Sequence, residues 1–413
     1  MKGFKFGIAV LALAIFALGT SRLALADVIT DWNDKACTIV AKAGPGSTGH
    51  RMMAIIQVAV FEAVNSIEPR YAPYLRRVEA PAGASVTAAV AAANRATLLE
   101  LMPGEKAAIE AAYQSTMATI ADGAAKSDGI AVGEKAAAMI LARAAKDGAN
   151  VPDAYQPYTT PGRYVPTVIP VFSQWVKRTP WILERPSQFR PGPPPDLESA
   201  TWEKDFQEVK MLGAKNSTMR TAEQTDIARF WEETRPLIYH PVIRSVANMP
   251  GRTIAQNARL FAAASMAIDD ALIAIFDAKY TYNFWRPITA ARNDHVAGKT
   301  KVTADLGWVP FINTPMHPEY PCAHCVASGA LGAVLTAELA GRPVPALSSS
   351  SPAANGMVRE WKSIADFMEE VNMARIYDGV HYRNSTVVGN DMGMKIGALV
   401  MQKFGGPVRS SSY

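Results

Sequence analysis

Cysteine is scarce in this chain, with 3 among 413 residues. That is too few for a disulfide framework, and Val326 rather than His follows Cys322-x-x-Cys325, which excludes the usual covalent haem attachment. A strong charge imbalance is also lacking. The formal net charge is +5, and without Lys2, Lys5 and Arg22 it falls to 39 basic against 37 acidic residues, about +2. With no basic stripe to track a phosphate backbone, no nucleic-acid partner is expected. β-Branched alternating runs are rare, so almost no sheet is expected. The apolar run Gly7 to Gly19 is shorter than the ~20 residues of a membrane-crossing helix, so no stable membrane span is expected.

That run instead completes a targeting segment. Lys2 and Lys5 form a short basic head, and Ala24-Leu25-Ala26 is a small-x-small cleavage site before Asp27. Residues 1–26 are therefore expected to be a signal peptide cleaved near Ala26, which places the mature chain in the periplasm or outside the cell. No Cys follows the run to take a lipid, and no twin arginine precedes it, so the chain is expected to be exported unfolded and to load any cofactor afterwards. In an exported chain, Cys322 and Cys325 read as a disulfide or a redox pair, which leaves Cys37 single.

What is abundant is alanine at helical spacing. Residues 27–150 read as an N-terminal helical region, with helices over Met52 to Ile67, Val86 to Met102, Glu105 to Ala121 and Ala131 to Ala145. Residues 151–200 then change character. Prolines from Pro152 to the run Pro193-Pro194-Pro195 deny backbone donors, while Tyr155, Tyr164, Phe172, Trp175 and Trp181 give the segment something to pack with. It is expected to wrap the helical body rather than to link two domains. Residues 201–413 return to helices within the same compact body, at Thr253 to Asn283, Cys322 to Ala340, Met357 to Ala374 and Ser385 to Phe404. The fold class is all-α, a helical bundle with one long irregular Pro-rich segment.

Three clusters in the last third carry chemistry. Lys279 and Arg286 stand about two helical turns apart, so one helix would show both on one face. Pro321-Cys322-Ala323-His324 opens a helix whose first amides can grip an anion. Arg375 and His381 flank Gly379, which supplies the break needed for both to point to one place. Charges on so apolar a helix are costly unless paired. The plain alternative pairs Lys279 and Arg286 with Asp269, Asp270 or Asp277. Three cations and two imidazoles around one point suit a tetrahedral oxyanion instead. The Gly-rich stretch before His50 lacks the ending of a phosphate loop and reads as a turn before a helix. His240 and His295 read as packing or surface residues.

Order and spacing here resemble the vanadium-dependent haloperoxidases and type 2 phosphatidic acid phosphatases. Their three signatures are Lys-x6-Arg-Pro, Pro-Ser-Gly-His and Ser-Arg-x5-His-x3-Asp. This chain has Lys279-x6-Arg286-Pro287, Pro321-Cys322-Ala323-His324 and Ala374-Arg375-x5-His381-x3-Ser385. Cys322, Ala323, Ala374 and Ser385 depart from the pattern. The stretches Phe61 to Ile67 and Asn257 to Ile288 also look like the family. The resemblance implies an oxyanion held by Lys279, Arg286, Cys322, Ala323 and Arg375. His381 would be the vanadium ligand or the phosphorylated nucleophile, and His324 the acid–base group. Ser385 would support His381 in place of the family's Asp, with Asp378 or Asp391 as carboxylates able to compensate. His317 occupies a place where relatives carry an aromatic ring or a histidine near the halide.

The leading expectation is peroxide-dependent halide oxidation with vanadate as cofactor, because the long helical N-terminal half resembles the haloperoxidases. The alternative is a phosphomonoesterase working through phospho-His381, with no cofactor. Either takes a small molecule or inorganic anion, and either leaves a homo-oligomer open. Two readings come from other classes: a zinc site from Cys322, His324, Cys325 and His317, and a thiol oxidoreductase using Cys322 and Cys325. Neither uses Lys279, Arg286 and Arg375. A non-catalytic anion-binding protein is a further reading, given the four departures.

Overall fold

The computed structural model describes residues 27–44, 46–293 and 304–407. The expected signal peptide and His295 lie outside the described residues. Helices α1 (Val28–Val40), α2 (Gly46–Ile67), α3 (Val86–Leu101), α4 (Lys106–Met117) and α5 (Ala124–Ala144) come first. After the Pro-rich segment follow α6 (Ala200–Leu212), α7 (Ala222–Phe230), α8 (Pro236–Ala247), α9 (Ile254–Tyr282), α10 (Pro287–Ala291) and α11 (Ala323–Leu339). A hairpin of β1 (Leu347–Ser351) and β2 (Met357–Trp361) precedes α12 (Ile364–Tyr377) and α13 (Arg383–Lys403).

The centre of the body is α9. Thr253 and Gln256 form a capping box at its start, and apolar or small side chains surround it on all sides, as expected of a helix with no solvent face. It packs against α2 on one side and against α11 and α13 on the other. The α11–α13 contact is extensive. A Cβ at Gly393 would collide with the Val326 carbonyl, so the two backbones touch only because that side chain is absent.

Residues 151–199 contain no α-helix, only short 3₁₀ turns at Ser173–Lys177 and Pro186–Phe189. Two adjacent acids of α9 fasten them. Asp269 accepts from the Arg178 guanidinium at 2.7 and 2.8 Å and from Trp181 Nε1 at 2.8 Å. Asp270 accepts from the amides of Trp181, Ile182 and Leu183 at 2.6, 2.8 and 3.0 Å. Trp175 and Trp181 are buried in the core.

The expected helix from Met357 is corrected. Residues 357–361 pair antiparallel with a serine strand, and the helix begins at Ile364 behind the Ser363 cap. No alternating apolar pattern announces that hairpin. It is held by buried hydroxyls, Ser349 donating to the Ile238 carbonyl and Ser351 to that of Phe230.

Candidate oxyanion site

Lys279 lies in the last turn of α9, fully buried, and its Nζ donates to the carbonyls of Pro318 (2.9 Å) and Glu319 (2.7 Å). Burial pulls its pKa well below the usual lysine range, and Arg286 and Arg375 push the same way. Arg286 does not share that helix face, which corrects the sequence expectation. The chain leaves α9 at Asn283, in the left-handed region (φ 50°), and Arg286 is the extended residue that caps α10. Its guanidinium reaches back instead. Nε donates to the His317 carbonyl (3.0 Å) and Nη1 to that of Val380 (2.7 Å). Nη2 lies 3.1 Å from His317 Nδ1, and Nη1 lies 3.2 Å from His381 Nε2. Burial lowers the Arg286 pKa to about 10. The acids that might have paired with these cations are engaged elsewhere, Asp269 and Asp270 with the Pro-rich segment and Asp277 with Arg190.

The second cluster starts α11. Cys322 is the N-cap, its sulfur accepting from the Cys325 amide at 3.2 Å, and the two cysteines are joined in a disulfide across a Cα separation of 5.3 Å. With both sulfurs committed, neither is a thiolate ligand or a free thiol. Among the described residues no three His, Cys, Asp or Glu side chains are grouped to hold a metal ion, so the zinc reading finds no site. His324 follows in the first turn, with Nε2 3.2 Å from the Glu233 carbonyl. A carbonyl only accepts, so that nitrogen carries the proton. Burial, then Arg375, pushes the His324 pKa well below its ordinary value.

The third cluster ends α12. Arg375 Nη1 donates to the Trp231 carbonyl (2.8 Å) and approaches Asp378 to 2.6 Å, while its Nε is buried with no protein partner. Gly379 (φ 79°) then reverses the chain so tightly against Gly213 that a Cβ would meet that residue's carbonyl. The amides of Val380 and His381 return to the Arg375 carbonyl, which ties the two functional residues together.

The support of His381 differs from expectation. Its Nδ1 lies 2.7 Å from Glu319 Oε1, which also accepts from the Tyr382 amide at 3.2 Å. Ser385 Oγ stands farther off, at 3.4 Å. Asp378 is paired with Arg375, and Asp391 with Lys395 on the surface, so neither compensates. A carboxylate accepts from Nδ1–H, leaving the lone pair on Nε2. Burial and the cations Arg286, Lys279 and Arg375 hold His381 neutral, its pKa well below the ordinary value. Glu319 is raised by burial to about 7, against the opposing pull of Lys279 and Arg286.

Arg375, His324, His381 and His317 line one cavity of about 880 Å³, opposite a wall that includes Phe172 and Phe276. His317 sets its ring edge-on to Phe276, with centroids 5.3 Å apart. Lys279 and Arg286 lie a layer deeper. The stretch before His50, expected as a turn, already belongs to α2 from Gly46 onward, and His50 within that helix faces the same cavity, with Nε2 3.1 Å from the Thr234 carbonyl. His240 is a packing residue, buried with Nδ1 2.8 Å from the Asn33 side chain. Sequence reasoning missed Glu319, which belongs to no motif.

Residues 259–409 match the VCPO second helical-bundle domain. The fold is that of solved vanadium-dependent haloperoxidases. It is 30% identical over 151 residues to the vanadium chloroperoxidase of Curvularia inaequalis, a stretch covering 30% of this chain and 24% of that protein. The first bacterial vanadium-dependent iodoperoxidase superposes with a TM-score of 0.77 at 24% identity, covering 93% of this chain and 97% of that one. A holo-type bacterial vanadium-dependent chloroperoxidase gives 0.69 at 16% identity, covering 92% and 94%. The similar structures are described as vanadium-dependent, and the chemistry of these donors suits an oxyanion such as vanadate. Three buried cations face two carboxylates, Glu319 and Asp378, and one guanidinium nitrogen of Arg375 is unpartnered.

Proposed function

We propose that this protein is a vanadate-dependent haloperoxidase, oxidising halide with hydrogen peroxide. The observation that carries the reading is the neutral His381 imidazole on the cavity lining, its Nε2 lone pair 3.2 Å from Arg286 Nη1, with the charges of Arg286, Lys279 and Arg375 all acting on the ring. Lys279, Arg286 and Arg375 would hold the vanadate oxygens with charge-assisted hydrogen bonds, joined by the first amides of α11. His381 would bind the metal through Nε2. When bound, vanadate supplies the Lewis-acidic centre at which peroxide is made electrophilic towards halide.

The chain's own residues do the rest. His324 is neutral, with its proton on Nε2 towards the Glu233 carbonyl, so Nδ1 is the nitrogen that accepts a proton from the incoming peroxide. Arg286 now sits on His381 Nε2 and gives up that contact for an anion oxygen when the site fills. The disulfide removes the two thiols nearest the chemistry from the oxidation ladder. It also fits the exported location that the leader, residues 1–26, supports.

The test is an assay of apoprotein with iodide, bromide or chloride plus peroxide, before and after orthovanadate. A parallel assay follows phosphomonoester hydrolysis without vanadate. Halide oxidation that needs vanadate and is inhibited by phosphate is expected. Hydrolysis with no halide oxidation would overturn the reading in favour of the phosphohistidine phosphatase.

A further inference from the structure

We propose that Glu319 is the positioning residue of His381, a carboxylate delivered from the loop before α11 rather than from α13. The inference rests on the reading of His381 given above. An imidazole that must offer Nε2 needs its proton kept on Nδ1, which requires an acceptor there. Position 385 lies four residues after His381, in the first turn of α13, but its serine is neutral and 3.4 Å away, whereas Glu319 Oε1 is at 2.7 Å.

The loop is built to hold that carboxylate still. The Glu319 amide donates to the Phe284 carbonyl (2.9 Å), its own carbonyl accepts from Lys279 Nζ (2.7 Å), and Oε1 takes the Tyr382 amide (3.2 Å). Lys279 thus has a second duty, fixing the backbone of the residue that orients His381. The side chain is fully buried, and Oε2 has no protein partner. Glu319 also borders a small cavity of about 10 Å³ shared with Tyr382, Ser385 and Trp202. That is about the room one water needs, and the unpartnered Tyr382 hydroxyl and Trp202 Nε1 would help to hold it.

A reversal of sign follows at position 385. With Glu319 present, Ser385→Asp places a second carboxylate against the first. With Glu319 removed, the same change supplies the missing acceptor.

The experiment measures orthovanadate affinity by calorimetry, with inorganic phosphate as a second probe. The proteins are wild type, His381→Ala, Glu319→Gln, Glu319→Ala, Ser385→Asp and the double variant Glu319→Ala/Ser385→Asp. Each glutamate variant should bind about 10–100-fold more weakly. Ser385→Asp alone should weaken binding, and in the Glu319→Ala background it should restore it. The His381 tautomer is read separately by nitrogen NMR on ligand-free protein. A single Nδ1–H form is expected in wild type and a mixture in Glu319→Ala, which tests the contact even if neither anion binds. Should Glu319→Ala not fold, the affinity of Glu319→Gln decides. Wild-type affinity in Glu319→Gln while His381→Ala fails to bind overturns this proposal alone. A double variant as weak as Glu319→Ala assigns the loss to loop packing and overturns it too. Unchanged binding in His381→Ala removes the reading of His381 and this proposal with it.

Discussion

Arg286 shows how much a single buried cation does here. It bonds two backbone carbonyls and two histidine rings from two separate segments. Arg286→Ala should therefore weaken orthovanadate binding by several kcal/mol, at about 1.5–3 kcal/mol for each charged hydrogen bond lost. It should also lower the melting temperature, because the His317 and Val380 carbonyls lose their donor. Calorimetry and thermal unfolding separate the two effects. The histidines divide differently. His381→Ala should abolish tight vanadate binding, whereas His324→Ala should leave it nearly intact and slow turnover by ~10²–10⁴-fold. Vanadium content after gel filtration and steady-state rates check that division.

Glu62 makes a pH prediction away from the site. It is fully buried in α2, with Oε1 accepting from the Leu75 amide at 2.8 Å and Oε2 unpartnered. Burial raises its pKa from 4.5 to about 7, against the amides of Leu75 and Tyr74 and the charge of Arg77. A carboxyl with a raised folded pKa keeps a proton that the unfolded chain has released, so stability falls as pH rises from about 4.5 through 7. Glu62→Gln should match wild type near pH 4 and exceed it at pH 8, on the order of 2 kcal/mol. Denaturant unfolding at both pH values measures it. At this scale the cationic residues were visible in the sequence because each stands in a spaced motif. Glu319 was not. A single acid among prolines carries no signal until folding brings it to His381.

Among elements, α9 was readable nearly to the residue, because Thr253 and Gln256 form a box and the apolar pattern, interrupted by few charges, runs to the C-cap at Asn283. Its end was not, since only the left-handed turn at Asn283 shows that Arg286 leaves the helix. The serine hairpin was unreadable for a related reason. Its stability comes from hydroxyls bonded to carbonyls of Ile238 and Phe230, more than 100 residues away in the chain. The Pro-rich segment supplies the test at this scale. Asp270 alone holds three successive amides, at Trp181, Ile182 and Leu183. Asp270→Ala leaves those donors buried and unpaired, at about 1–3 kcal/mol each before relaxation. Limited proteolysis should then cut near residues 178–183 in native protein, where wild type resists.

For the molecule as a whole, sulfur accounting is the simplest check. Cys37 is buried, and burial pushes its thiol up to about 12, so it should not react with alkylating reagents in the native state. Unreduced protein should take no label when folded and one when denatured. Reduction before denaturing label should raise the count to three. Mass spectrometry that finds three reactive thiols without reduction would mean that the α11 pair is open, and would leave those thiols exposed to peroxide.

The Pro-rich segment also supplies one wall of the cavity, through Thr167, Val168, Val171 and Phe172, while the cationic floor belongs to α9, α11 and α12 and the loops they begin and end. A wall without a helical hydrogen-bond ladder can change length or side chains with little propagation into its neighbours. The ties of this wall to the site run through two residues, the Val171 amide donating to the Met316 carbonyl at 2.9 Å and Phe172 packing on Phe276, while Val168 and Ile169 are exposed. For an engineer, that makes residues 165–170 the place to redesign the entrance, with Val171 and Phe172 kept.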